Sequence, residues 1–177
     1  MSEAYDLGRL KLISRVGGML AVAGAVVLVA FAVLMLCGLV ISVLDPDALG
    51  TTVDFVVQVN GEESEVSSAD APGLFAAGFL VSAVLSATLW ILGGILGSIG
   101  REYTPFTERN ARGFRGMSAA FLALILVSVV AYLFGPDLFP NVLLLVAVFF
   151  MAAVGTYAMS LVFRYGAALQ RESDETL

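Results

Sequence analysis

Four long, predominantly apolar runs constrain this chain more than any other feature: residues 16–43, 71–99, 114–134 and 138–163. Each reaches the ~20 residues that cross ~30 Å of hydrocarbon at ~1.5 Å per residue. Lipid offers no partner to a bare N–H or C=O, so each run has to be a helix that satisfies its own backbone. The sequence therefore predicts an all-α membrane protein, a single domain over residues 1–177 with four transmembrane helices. Composition agrees: 59% of the residues are hydrophobic and 14% charged, against about 25% charged in a soluble domain. The first two runs exceed the required length and should tilt or project beyond the lipid.

The ends of the runs carry their own signals. Asp45-Pro46-Asp47 stops the first, since proline cannot extend a helix and carboxylates belong in water. Asp70 ahead of Pro72 reads as an N-cap for the second. Gly135-Pro136-Asp137 predicts a tight turn, so the third and fourth helices should pack as an antiparallel hairpin. The first run follows Arg9, Lys11 and Arg15, as a signal peptide would. It is far longer than the roughly 7–15 apolar residues of a signal peptide and lacks an Ala-x-Ala site, so a retained helix is expected.

Orientation follows from the basic residues. With four spans, Arg9, Lys11, Arg15, Arg101, Arg109, Arg112, Arg115, Arg164 and Arg171 all fall on one side. The positive-inside rule makes that side cytoplasmic. Both termini, the 100–113 loop and the 164–177 tail are then inside, with the protein in the inner membrane. The 44–70 loop is outside and acidic, carrying Asp45, Asp47, Asp54, Glu62, Glu63, Glu65 and Asp70 without one base. Within it Val53, Phe55, Val57 and Val59 alternate with other residues, and Asn60-Gly61 is a hairpin-turn signal, so a small β-hairpin is expected between helices 1 and 2. An isolated hairpin is marginal, so its apolar face should rest on helix ends or a partner chain. The carboxylates invite a calcium or magnesium reading, but no spacing matches an oxygen-ligand loop, and a solvated outer face is the preferred account.

Several chemistries are disfavoured. The chain has no histidine and a single cysteine, Cys37, which removes imidazole acid–base chemistry, an internal disulfide and a cysteine zinc site. Cys37 lies deep in an apolar run and reads as a buried packing thiol. No charged residue lies at mid-membrane depth, which counts against a proton-coupled transporter. Ser82, Ser86, Thr88, Ser128, Tyr132, Thr156, Tyr157 and Ser160 are the mid-span polar groups of note. Hydroxyls bond readily to their own helix, so packing is favoured over a pore lining. No catalytic residue, cofactor or metal is assigned. Small residues recur four apart: Gly17, Ala21 and Ala25 in the first span; Gly78, Ser82 and Ser86, then Gly93 with Gly97 and Gly94 with Ser98, in the second. Such rows let helices approach closely, within one subunit or in a homodimer.

The inner loop reads REYTPFTERNARGFRGM at 101–117. Thr107 is a candidate N-cap for a short helix, and Arg109, Arg112 and Arg115 give it a basic stripe flanked by Phe106 and Phe114. Anionic lipid explains the arginines but not Pro105-Phe106-Thr107. Those residues, and the ending FRYGAALQRESDETL at 163–177, resemble the bacterial four-span proteins grouped as domain-of-unknown-function family 2975. The matching positions are Pro105, Phe106, Thr107, Asn110, Arg112, Phe163, Arg164, Gly166, Leu169, Gln170, Glu172, Asp174, Thr176 and Leu177. Gly113 departs from the pattern, which has a bulky apolar residue near there. The likeness extends to the spacing of all four spans. It implies work alongside a small helix-turn-helix regulator.

The function expected is that of a non-enzymatic membrane partner or sensor acting with such a cytoplasmic regulator. The alternative is a small channel, exporter or transport accessory subunit. The partner-contact candidates are Pro105, Phe106, Thr107, Asn110, Arg112, Gln170, Glu172, Asp174 and Thr176. The lipid bilayer is the other expected partner, a homodimer is held open, and no direct contact with nucleic acid is expected.

Overall fold

The computed structural model describes residues 2–45, 56–59, 62–65, 71–99, 105–134 and 141–175. Its body is four helices: α1 (Ser2–Leu44), α2 (Ala71–Ile99), α3 (Glu108–Phe134) and α4 (Val142–Glu175). All four are long and apolar enough to cross a membrane. Between α1 and α2, two four-residue strands, β1 (Val56–Val59) and β2 (Glu62–Glu65), pair antiparallel with Val59 opposite Glu62. Their side chains, the turn at Asn60-Gly61, the Asp70 cap and the Gly135-Pro136-Asp137 turn lie outside the described residues.

The helices extend beyond the apolar runs. α1 begins at Ser2 rather than near residue 16, and α3 begins at Glu108 rather than 114. The short inner-loop helix expected after Thr107 is therefore the first turns of the third spanning helix itself. Nothing in 108–114 interrupts the i to i−4 ladder, and Thr107 starts it. α4 begins at Val142, later than residue 138. Asn141 precedes it, and its carbonyl accepts the Leu145 N–H at 3.1 Å, as a favoured N-cap residue does. At the far end α4 stays helical to Glu175.

Packing runs in series, α1 on α2, α2 on α3, α3 on α4. α1 meets α2 antiparallel along a face of Ser14, Gly18, Ala21, Ala25, Ala32 and Ser42, all buried. From Ser14 to Ala32 the spacing alternates between fours and threes or their sum, the seven-residue rhythm that keeps one stripe on its neighbour, and Ser42 follows about three turns on. Contact is close because the residues are small: a Cβ on Gly18 would meet the Gly93 carbonyl at 3.4 Å, and one on Gly93 would meet Val22 Cγ2 at 2.8 Å. Ser86 Oγ donates to the Ala25 carbonyl at 3.0 Å, and Ser14 Oγ donates to the Leu96 carbonyl, each tying the two helices. Not every small residue takes part. Gly94 is exposed with open space around it, so the Gly94–Ser98 row is not a seam.

Other hydroxyls bond within their own helix: Ser82 to the Gly78 carbonyl (2.6 Å), Thr88 to Val84 (2.9 Å), Ser128 to Leu124 (2.8 Å) and Thr156 to Ala152 (2.7 Å). Cys37 corrects an expectation. Its side chain is exposed on the outer face of α1, not packed against another helix. Because α1 is apolar all round, hydropathy does not say which face turns inward; the small residues win the seam and the thiol is left outside. Only 11% of the most apolar stretch of α1 and 6% of that of α4 is buried within the chain. The remainder is left for lipid or another chain to cover.

Candidate functional site

Alternation of the helices brings the start of α1, the end of α2, the start of α3 and the end of α4 to one end. Contacts fix this: Ser14 with Leu96, Ser98 with Asn110, and Phe114 with Phe163. Lys11, Arg15, Arg109, Arg112, Arg115, Arg164 and Arg171 all lie toward that end. The charge segregation of the sequence is thus a property of the fold.

The Pro105-Phe106-Thr107 turn is built by local rules. The Thr107 N–H donates to the Pro105 carbonyl at 3.0 Å, and the Thr107 carbonyl accepts from Ala111 N–H at 3.1 Å. Thr107 Oγ1 accepts the Asn110 N–H at 3.2 Å, an N-cap bond. Asn110 is 2% exposed. Its amide Nδ2 donates to the Pro105 carbonyl at 2.9 Å, closing the turn, while Oδ1 faces Ser98 Oγ at 2.9 Å. Ser98 Oγ also lies 2.8 Å from the Ile95 carbonyl, so its one proton is shared. Asn110 therefore staples the turn to itself and to α2.

Beneath the turn lies the main apolar cluster: Ile95, Ala111, Phe114, Met117 and Phe163, with Phe106 packed against it. Phe163 sits between two rings, 5.3 Å from Phe106 and 4.9 Å from Phe114, both tilted as aromatic pairs prefer. Gly166 makes room, since a Cβ there would come within 2.6 Å of the Phe106 ring. Gly113 does the same for α2: its Cβ would lie 3.0 Å from Ile95 Cδ1. A side chain at 113 would require Ile95 and Ile91 to give way where α3 approaches α2. Arg171 reaches from the end of α4 to Glu108 in the first turn of α3, N to O 3.0 Å, with both side chains largely exposed.

The sequence-selected residues separate into two groups. Asn110 is buried, and Pro105, Phe106, Thr107 and Gln170 are half-buried; Arg112, Glu172 and Asp174 are exposed; Thr176 lies outside the described residues. Sequence reasoning did not single out Ser98 or Gly166 as partners of these groups, nor Arg164 and Ser160 as neighbours of the basic stripe. Arg112, Arg115, Ser160 and Arg164, with Glu108 and Ala111, line one cleft of about 280 Å³ between α3 and α4. The i, i+3 spacing of Arg112 with Arg115 and the i, i+4 spacing of Ser160 with Arg164 place each pair on one helix face.

Comparison with known proteins now has a geometry to rest on. The family model described as "Protein of unknown function (DUF2975)" matches residues 55–177. The chain belongs to this family. The match includes the Pro105–Asn110 turn, the three-ring stack and the α4 extension of this DUF2975 protein, and three of its four helices; α1 lies outside the matched stretch. No curated protein and no solved structure matches the chain. With four helices of spanning length, this DUF2975 member is a multi-pass membrane protein.

Proposed function

We propose that this DUF2975 protein is a non-enzymatic component of the inner membrane whose basic end faces the cytoplasm and docks a soluble protein, for which the family resemblance implies a helix-turn-helix regulator. The acidic 44–70 loop, with its short paired strands, then lies outside. Orientation rests on the positive-inside rule, applied to a fold that gathers its basic residues at one end. The docking role rests on one observation above all. The Pro105–Asn110 turn is locked by its own hydrogen bonds and stacked on Phe163, forming a stiff end-face beside an α4 that remains helical beyond the apolar stretch. A loop serving only as topogenic charge needs none of that construction. The exposed groups offered there, Arg109, Arg112, Glu172 and Asp174, give a mixed-charge surface suited to a protein partner rather than to direct contact with nucleic acid.

The test is site-specific photocrosslinking in native membranes. A crosslinker at Arg109 and, separately, at Asp174 should capture the same soluble protein. One at Leu144, exposed on α4 far from the basic end, should capture none. Crosslinks to lipid alone from both Arg109 and Asp174 would overturn the docking role.

A further inference from the structure

The cleft between the basic ends of α3 and α4 shares Arg112 with the docking surface, but its other donors, Arg115, Arg164 and Ser160, have no part in that role. Arg112 and Arg115 enter it from α3, Arg164 and Ser160 from α4. Its one carboxylate, Glu108, is engaged by Arg171 at 3.0 Å. Among the described residues Arg112, Arg115 and Arg164 make no ion pair. Three guanidinium groups line this one small volume against a single carboxylate, an excess of positive charge that a bound anion would offset. Ser160 is only 4% exposed and makes no hydrogen bond among the described residues. No buried side-chain oxygen is left unsatisfied there, so its hydroxyl opens toward the cleft as a ready donor.

Guanidinium forks and a hydroxyl form the donor set that recognises phosphate oxygens. Size narrows the choice. Drug-sized ligands occupy pockets of roughly 300–1,000 Å³, and about 280 Å³ suits one phosphate group with a small substituent. Position narrows it further. Toward the apolar part of α4, Leu161 lies one turn and Tyr157 two turns from Arg164, both exposed, and Leu122 is exposed two turns along α3 from Arg115. Apolar surface suited to acyl chains therefore continues from the cleft, as it does in basic interhelical pockets that hold lipid headgroups. We propose that Arg112, Arg115, Arg164 and Ser160 form a binding site for the phosphate group of an anionic phospholipid, seated between α3 and α4 at the membrane surface.

The site is tested on the purified full-length protein in a neutral detergent, without any other protein, so its outcome is separate from that of the docking role. Dihexanoyl-phosphatidylglycerol, dihexanoyl-phosphatidylcholine and inorganic phosphate are titrated while binding is followed by thermophoresis. The phosphatidylglycerol should bind saturably and more tightly than inorganic phosphate, and the phosphatidylcholine should not saturate. R112Q/R115Q/R164Q should weaken the phosphatidylglycerol affinity by about tenfold or more, because the charge-assisted bonds are lost. R112K/R115K/R164K keeps the charge and hence the topology, and should still bind several-fold more weakly through loss of the planar forks. R109Q, outside the cleft, should bind like the wild type. Equal affinity for phosphatidylglycerol and inorganic phosphate would overturn the lipid assignment. An R112K/R115K/R164K protein that is monodisperse and binds with wild-type affinity, or an R109Q loss as large as that of R112Q/R115Q/R164Q, would overturn the site.

Discussion

Ser98, in the last turn of α2, and Asn110, in the first turn of α3, meet in a buried hydrogen bond of 2.9 Å between Oγ and Oδ1. The connection between these helices is thereby fixed by side chains as well as by the chain itself. Asn110→Ala removes that bond and the one to the Pro105 carbonyl, two hydrogen bonds worth about 0.5–1.5 kcal/mol each, while Ser98 keeps the Ile95 carbonyl and the Pro105 carbonyl keeps the Thr107 N–H. The expected cost is about 1–3 kcal/mol, read as a lower melting temperature in detergent. Asn110→Asp should melt lower still, because an acceptor oxygen replaces the amide donor facing the Pro105 carbonyl. Wild-type melting of both variants would show that the staple contributes nothing.

Gly166→Ala should destabilise the basic end, because the new Cβ would lie 2.6 Å from the Phe106 ring. Overpacking of this kind costs about 1–3 kcal/mol. Phe106→Ala alone also loses stability, through the Phe163 contact. In the double variant the ring clash is absent and only the Cβ of residue 106 remains close, at 3.2 Å, so adding Gly166→Ala to Phe106→Ala should cost much less than adding it to the wild type. Additive losses in that cycle would place the effect of Gly166 elsewhere.

Two adjacent glycines give a sharper contrast. A Cβ on Gly93 meets Val22 Cγ2 at 2.8 Å and the Gly18 carbonyl at 3.3 Å, whereas Gly94 has nothing within 4 Å. Gly93→Ala should loosen the α1–α2 seam and lower the melting temperature. Gly94→Ala should be neutral or slightly stabilising, by up to about 1 kcal/mol of helix propensity. A reversed order would mean that the seam is misplaced.

Topology is accessible to thiol labelling in a Cys37→Ser background. A cysteine replacing Glu63 should react with an impermeant maleimide in intact cells, and one replacing Arg109 only after lysis. Arg109 is chosen because it is exposed, whereas Asn110 is buried. In the unmodified chain Cys37 should resist the reagent in both states: its exposed side chain faces hydrocarbon, which an impermeant polar maleimide does not enter. Labelling at position 109 in intact cells would reverse the assigned orientation.

The α4 tail is held at its surface by Arg171 and Glu108, an exposed pair worth at most about 1 kcal/mol. Deleting residues 170–177 should therefore leave membrane abundance near normal, since all four spanning helices remain. Recruitment of the soluble partner should be lost. Full recruitment at wild-type abundance would exclude the tail from docking.

Much of the architecture was legible before any coordinates. Apolar runs of spanning length had to be helices, because lipid satisfies no backbone group, and the clustering of arginine and lysine fixed which ends come together. Thr107 was readable as a cap because a cap bond reaches only three residues. What stayed hidden was rotation about each helix axis and pairing between distant segments. α1 is apolar on every side, so nothing in its pattern says that Ala25 turns inward to accept from Ser86 while Cys37 faces out. Gly93 and Gly94 are the same residue in the same neighbourhood, yet only one lies at a seam. Arg164 stands 49 positions from Arg115 in the sequence (164 − 115), and only the antiparallel packing of α3 on α4 places them in one cleft. Hydropathy and caps act within a few residues and were written in the sequence. The Asn110 staple, the Phe106–Phe163 stack and the arginine cleft depend on which helix faces meet, and that is decided by close packing of the folded chain.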